Sequence, residues 1–295
     1  AVGGVARLGW GRPLVRRVAG FFRGLAAAGT RRAPDADLSV EALLSRIVDC
    51  SRSMVVLGEH AKSLLAPSHL ARRDFDVVPL YVRGTGTPAA AEKARLRRRY
   101  GIPAGAFVVT TTGFQAPVKR TEDIVRASLG LLDSGNAPAF VQVLGEISDP
   151  GFRRRLESAA RKRADAVYLS DGFVEGGELR DRLLLSDAAV YLRAWSTGGP
   201  SAGLNDALGA GLPCVVTGAL GFSEYPDSAV LKIGDEGLTE ALLALYHDPA
   251  ARAAYAAGAE RFAAANSPEA VAARLGGILE RASAARKEER TAVLS

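Results

Sequence analysis

The 295-residue sequence has few of the residues that staple or metallate a fold: 2 cysteines and 3 histidines. Cys50 and Cys214 stand far apart in apolar contexts. They are expected to be buried, inert thiols, which fits a reducing cytoplasm. His60, His69 and His247 have no metal-ligand spacing to one another or to a cysteine, so no metal site is expected and the three are read as structural or solvent-facing. No apolar run approaches the roughly 20 residues of a membrane-spanning helix. The opening Ala1-Val-Gly-Gly-Val is broken by glycine and followed by Arg7, unlike a secretory signal. The chain also starts without Met, as a processed or truncated form would. Acidic residues are missing from residues 1–34, which contain Arg7, Arg12, Arg16, Arg17, Arg23, Arg31 and Arg32.

What is present suffices for a core. Hydrophobic residues make up 48 % of the chain and charged ones 24 %, with a net charge of +6. The length allows two ordinary domains. The basic excess is local, at the N-terminus and again from Lys93 to Arg99. It could attract nucleic acid, an anionic membrane or phosphate-bearing ligands. Nucleic acid is disfavoured, because no nucleic-acid motif accompanies the charge and aromatics are sparse beside it.

Residues 10–30 read as a basic amphipathic helix with Leu14, Val15, Val18, Phe21, Phe22 and Leu25 at helical spacing. Such a helix either lies on an anionic membrane or packs its apolar stripe against protein, the commoner use of such stripes. A further helix is expected over residues 38–50, a strand in Ser53 to Gly58, a helix from Glu59 to Leu65 and a strand from Asp76 to Leu80. Residues 83–91 are rich in Gly, Pro and Ala and read as a linker. From residue 92 onward, apolar strands alternate with helices and no hairpin signal interrupts them. That pattern predicts a parallel sheet covered on both faces, with its ligand beyond the carboxyl ends of the strands. The expected division is a partial lobe over 1–82, the linker 83–91, a Rossmann-like domain over 92–265, and a C-terminal helix with a charged tail over 266–295.

The loops after the strands carry the chemistry. Gly113 follows the strand Ala106 to Thr112 and lets backbone approach a ligand. Lys119 then precedes a helix start, where amides and the helix dipole favour an anion. Gly145 ends the next strand. In Asp171-Gly-Phe-Val, Phe173 and Val174 stand where a flat base could pack, although a core role for the aromatic is the plainer reading. The most informative segment follows the strand ending at Leu192. Arg193 leads into Gly198, Gly199, Pro200 and Ser201, and a helix starts at Ala202. Uncapped amides there would cradle phosphate. Asp206, one turn along, could accept from ribose hydroxyls. Gly209 and Gly211 would allow close packing of helix and strand.

Residues 95–280 resemble the C-terminal, donor-binding domain of a family-4-type GT-B glycosyltransferase. The resemblance runs through Arg98-Arg-Tyr-Gly-Ile-Pro, Val108-Val-Thr-Thr-Thr-Gly-Phe, Pro117-x-Lys119, Leu144-Gly-Glu, Gly172-Phe-Val and Ser186-Asp187-Ala-Ala-Val. It closes with Asp206-Ala-Leu-Gly-Ala-Gly-Leu-Pro-Cys-Val-Val-Thr and Gly221-Phe-Ser-Glu224. Residues 53–80 resemble the last strands of that family's acceptor-binding domain. The resemblance implies an α/β GT-B fold and transfer of a sugar from a nucleotide diphosphate donor, retaining and metal-independent. It implies no cofactor beyond that donor substrate, and an acceptor that is a glycan, lipid or small molecule. Expected localisation is cytoplasmic, either free or peripheral to the inner face of the membrane. Lys119 and Arg193 would face the diphosphate. Gly113, Phe114, Gly145, Phe173, Val174, Gly198, Gly199, Pro200, Ser201, Ala202 and Asp206 would line the donor.

Three departures stand out. Phe114 replaces a basic residue. Gly198 replaces the first of two glutamates, and Asp206 shortens the second. The acceptor half is also short. These departures motivate a second reading, a non-catalytic nucleotide-sugar-binding or assembly subunit. A nucleotide-sugar epimerase on the same fold lacks clear acidic residues.

Overall fold

A computed structural model describes residues 47–65, 74–196 and 198–294, the last nine of these by backbone alone. The amphipathic helix expected over 10–30 lies outside them, as does most of that expected over 38–50, of which 47–50 are helical. The chain divides after Asp49, and the unit Cys50–Ser295 holds the architecture that follows.

Two short strands, β1 (Met54–Val56) and β2 (Phe75–Val77), pair in parallel, with helix α1 (Glu59–Leu65) between them in sequence. Strand β2 starts one residue earlier than expected and stops before Pro79, which has no N–H to give to a ladder. Val78 packs with Val271 and Ile278 of the long C-terminal helix. Arg281 on that helix reaches back to Asp76 at 2.8 Å, and Ser53 donates to the same carboxylate.

Residues 78–89 carry no helix or strand and lead to α2 (Ala90–Arg99). Then come β3 (Phe107–Thr112), α3 (Thr121–Asp133), β4 (Ala139–Leu144), α4 (Pro150–Ala160) and β5 (Val167–Leu169). They are followed by α5 (Gly176–Leu184), β6 (Ala188–Tyr191), α6 (Ala202–Gly209), β7 (Cys214–Thr217) and β8 (Val230–Ile233). Helices α7 (Leu238–His247), α8 (Pro249–Ala265) and α9 (Pro268–Leu294) complete the unit. The six strands form one parallel sheet in the order β5-β4-β3-β6-β7-β8. Both faces are covered: one cluster gathers Leu96, Val108, Tyr191 and Leu208, the other Val109, Ile124, Val141 and Leu242. That explains why β3 and β4 are apolar or uncharged throughout and wholly buried. Strand order reverses direction between β3 and β6, so the crevice between their carboxyl ends is the switch point.

The basic run of α2 divides. Lys93 and Arg97 both pair with Asp187, at 2.7 and 2.5 Å, and are committed to the fold. Arg95, Arg98 and Arg99 stay exposed, with Arg99 paired to Asp181. Cys214 is buried as expected, but Cys50 is exposed and is not an interior thiol. The helix expected to run on from Phe152 to Ala164 instead tightens into a 3-10 segment after Ala160, with Arg163 out of helical geometry. Among the described residues, no helix is long and apolar enough to cross a membrane.

Candidate functional site

The carboxyl ends of β3, β4, β6 and β7 converge through glycines and hydroxyls. Gly145, at φ +126°, sits against the carbonyl of Gly113; a side chain there would collide with that oxygen. The post-β3 loop is tied down by Gln115. Its Nε2 donates to Gly113 O at 2.8 Å, and its Oε1 accepts from Thr121. At the switch point the Thr112 and Tyr191 hydroxyls share a hydrogen bond of 2.9 Å. Gly203, in the first turn of α6, lies against them: a Cβ there would fall 2.5 Å from Thr112 Oγ1 and 3.1 Å from the Tyr191 ring. The start of α6 is thereby pressed onto the end of β3.

Into this crevice come two cations. Lys119 closes the 3-10 turn Pro117–Lys119, and its Nζ would lie 3.1 Å from a Cβ on Gly113. Arg193 leaves β6 with its N–H on Thr217 Oγ1 and its guanidinium 5.6 Å from the centre of the Phe222 ring. The two loops are stitched together by the Ala194 N–H on Val118 O, at 2.9 Å. Among the described residues neither cation has an acidic partner. Burial, and then the nearby Arg193, lower the Lys119 ammonium to about 8. Burial lowers Arg193 as well. Two unpaired, partly desolvated cations beside a glycine-lined backbone are a candidate site for an anion.

The helix start is more occupied than expected. Ser201 caps α6, its Oγ accepting from Leu204 N–H. Among the described residues the amides of Ala202 and Gly203 remain without a protein acceptor. The helix start is therefore partly capped, not the open set of amides that the glycine-rich segment suggested.

Gly198, expected to line the donor, is buried and packs against α1. At φ +90° it passes under α1, and a Cβ there would lie 2.9 Å from Ala61 Cα and 3.1 Å from Leu64 Cδ1. The contact is reinforced by Glu224, whose carboxylate accepts the N–H groups of Glu59 at 2.8 Å and His60 at 2.5 Å. His60 Nε2 is buried beside it without a partner among the described residues. Gly199 is exposed and Pro200 half-buried. Asp206 is exposed on α6, with Arg83 as its nearest charge influence. Gly209 and Gly211 serve a different purpose from the expected one. Side chains there would meet Arg83 O and Thr87 Oγ1, so these glycines let the connecting segment, not a strand, lie on α6. Thr85 and Gly86 both donate to Gly209 O.

Of the pair after β5, Val174 is buried but Phe173 is 80 % exposed, which overturns the core reading of that aromatic. Phe114 after β3 is 55 % exposed and Trp195 after β6 is 59 % exposed. Trp195 and Glu224 were not assigned a role from the sequence; an aromatic two residues after Arg193 was the available signal for the first. No group of three His, Cys, Asp or Glu side chains suited to a metal occurs among the described residues.

Neither a family profile nor a curated protein sequence matches the chain. Solved structures do. A glycosyltransferase from Rickettsia africae superposes at TM-score 0.67 with 10 % identity, over 94 % of this chain and 84 % of that one. Anabaena HepE in complex with UDP-glucose superposes at TM-score 0.68 with 14 % identity, over 82 % and 68 %. The C-terminal domain of the group 1 glycosyltransferase LpcC from Francisella tularensis covers 59 % of this chain with 91 % of its own length, at 18 % identity and TM-score 0.50. The chain has the GT-B fold. In GT-B terms the six-stranded sheet is the Rossmann-like half, and β1, α1 and β2 lie against it through Gly198 and Glu224.

Proposed function

We propose that this chain is a glycosyltransferase that takes a sugar from a nucleotide diphosphate donor. The observation that carries the reading is the pair Lys119 and Arg193, two cations without acidic partners at the switch point beside Gly113. A departing nucleotide diphosphate gathers negative charge as the glycosidic bond breaks. Fixed cations and the Ala202 and Gly203 amides would stabilise that charge where it forms. Phe114 and Phe173 supply apolar faces for a base, and Asp206 a carboxylate for ribose. Retention at the anomeric carbon without a metal, and a division into an acceptor-side lobe up to residue 82, a linker over 83–91 and a donor domain over 92–265, belong to the same proposal. So does an acceptor that is a glycan, lipid or small molecule, with contact to the inner face of a membrane. HepE, which shares the fold, is a UDP-glucose binder by its complex, and that makes UDP-glucose the first donor to try.

One observation favours a second reading, a subunit that binds nucleotide sugar without turning it over: α1 fills the space at Gly198 where the family carries an acid. Titration of UDP and UDP-glucose, followed by an assay for UDP release with and without candidate acceptors, separates the two. Binding with UDP release supports the enzyme, and binding without release the subunit. No binding of either nucleotide removes both.

A further inference from the structure

A cavity of about 250 Å³ lies between the β1–β2 unit and the six-stranded domain. Leu57, Val77, Pro79 and Leu80 line it on one side, Pro200 and Phe262 on the other. Polar side chains also border it, but much of their hydrogen-bonding capacity is spent on the protein. Asn205 Nδ2 donates to the carbonyls of Leu80 and Tyr81, and its Oδ1 accepts from the Tyr225 hydroxyl. Both Glu224 oxygens hold α1 amides. Asn266 Nδ2 donates to Phe262 O, and its Oδ1 accepts from Arg274.

A sugar ring entering this space would give up water for a wall whose free polar capacity is confined to Glu224 and one Asn266 N–H, and unmet hydroxyls oppose binding. An apolar group loses nothing of the kind and gains by leaving water. Position adds a second argument. Gly221 and Glu224 of the cavity wall belong to the 3-10 turn Leu220–Glu224. The same turn carries Phe222, the ring under Arg193. The cavity and the cation pair are thus two sides of one turn.

We propose that this cavity receives the apolar part of the acceptor, so that the acceptor is amphipathic, a hydroxyl-bearing head on an alkyl or aryl group, rather than a free sugar. This rests on the transferase reading above.

The test is calorimetric titration of the full chain with n-octyl β-D-glucoside below its micelle concentration, phenyl β-D-glucoside and glucose, with UDP in parallel. The expected result is binding of at least one glucoside under conditions where glucose is silent. Octyl alone identifies an alkyl group, phenyl alone a ring. Leu57 is 45 % exposed, so Leu57→Asp is compatible with the fold. It should weaken glucoside binding at least tenfold and leave UDP binding as it was, while Lys119→Ala does the reverse. If Leu57→Asp does not fold, Leu57→Trp, which fills the space, must give the same loss. Glucosides that fail to bind, glucose that binds as well, or affinity indifferent to Leu57 would overturn the proposal. Loss of UDP binding by the unsubstituted chain would instead count against the transferase reading.

Discussion

A side-chain carbon on Gly198 would stand 2.9 Å from the Cα of Ala61, 137 positions earlier in the chain. In the family that the sequence resembles, an acid occupies this position; here backbone of α1 does. Putting the acid back is therefore expected to damage the fold rather than restore a role. Gly198→Glu meets a left-handed backbone, at a cost of about 1–3 kcal/mol, and must also displace α1. The melting temperature should fall, and amide exchange at residues 59–65 should accelerate. An unchanged melting temperature with unchanged exchange would show that α1 does not rest on Gly198.

Lys119→Ala should separate phosphate recognition from base recognition. Removal of a charge-assisted contact costs about 1.5–3 kcal/mol, tenfold or more in affinity. The loss is expected for UDP and not for uridine, measured by titration of both. Equal loss for the two ligands would take Lys119 out of the anion site.

The same residue sets a pH dependence. Its ammonium ionises at about 8, lowered by burial and by Arg193, so the cation is complete below that pH and lost above it. A terminal phosphate has its second ionisation near about 6, so UDP is fully anionic across the interval. UDP affinity should hold from neutrality to about pH 8 and fall beyond it. The bound diphosphate favours the cation and raises its pKa in the complex, so the fall that begins near pH 8 levels off only at that higher pH. The Lys119→Ala chain should show no break in this range, and a break that persists in it would belong to another group.

Asp206→Asn tests the ribose contact. The residue is exposed, so its replacement should change stability by no more than about 0.5 kcal/mol, with little movement of the melting temperature. Affinity for UDP should drop, and the drop should shrink for a 2′,3′-dideoxy nucleotide. If stability collapses and the nucleotide series responds equally, Asp206 is part of the framework.

Most of the fold could be read from the sequence, because strands buried on both faces are apolar or uncharged throughout and alternate with capped helices. Glycine or proline marked the ends of β3, β4 and β7 within a residue or two. Helix α8 was missed: its alanine-rich run has almost no periodic contrast, although Asp248 before Pro249 is an N-cap followed by proline at the first helical position. In the candidate site, Gly113 and Lys119 were legible because a glycine and a lysine before a helix act locally. Arg193 was legible as a cation, but its approach to Lys119 depends on two loops meeting at the switch point. The seating of α1 on Gly198 and the grip of Glu224 on Glu59 and His60 join residues more than 130 positions apart. No local pattern encodes such contacts. The capping of α6 was misjudged for another reason: Ser201 is itself a good N-cap residue, and its hydroxyl takes one of the amides that were assigned to phosphate.

The pairing of β2 with the C-terminal helix has a consequence in time. Asp76 and Arg281 are 205 residues apart, and Val78 shares its core with Val271 and Ile278. On a translating ribosome, growing at about 5–20 residues per second, that separation is about 10–40 s. Throughout that interval the nascent β1–β2 unit exists without the helix that covers Val78, while the six-stranded sheet assembles behind it. Among the described residues, the earliest strands are thus among the last to find their cover.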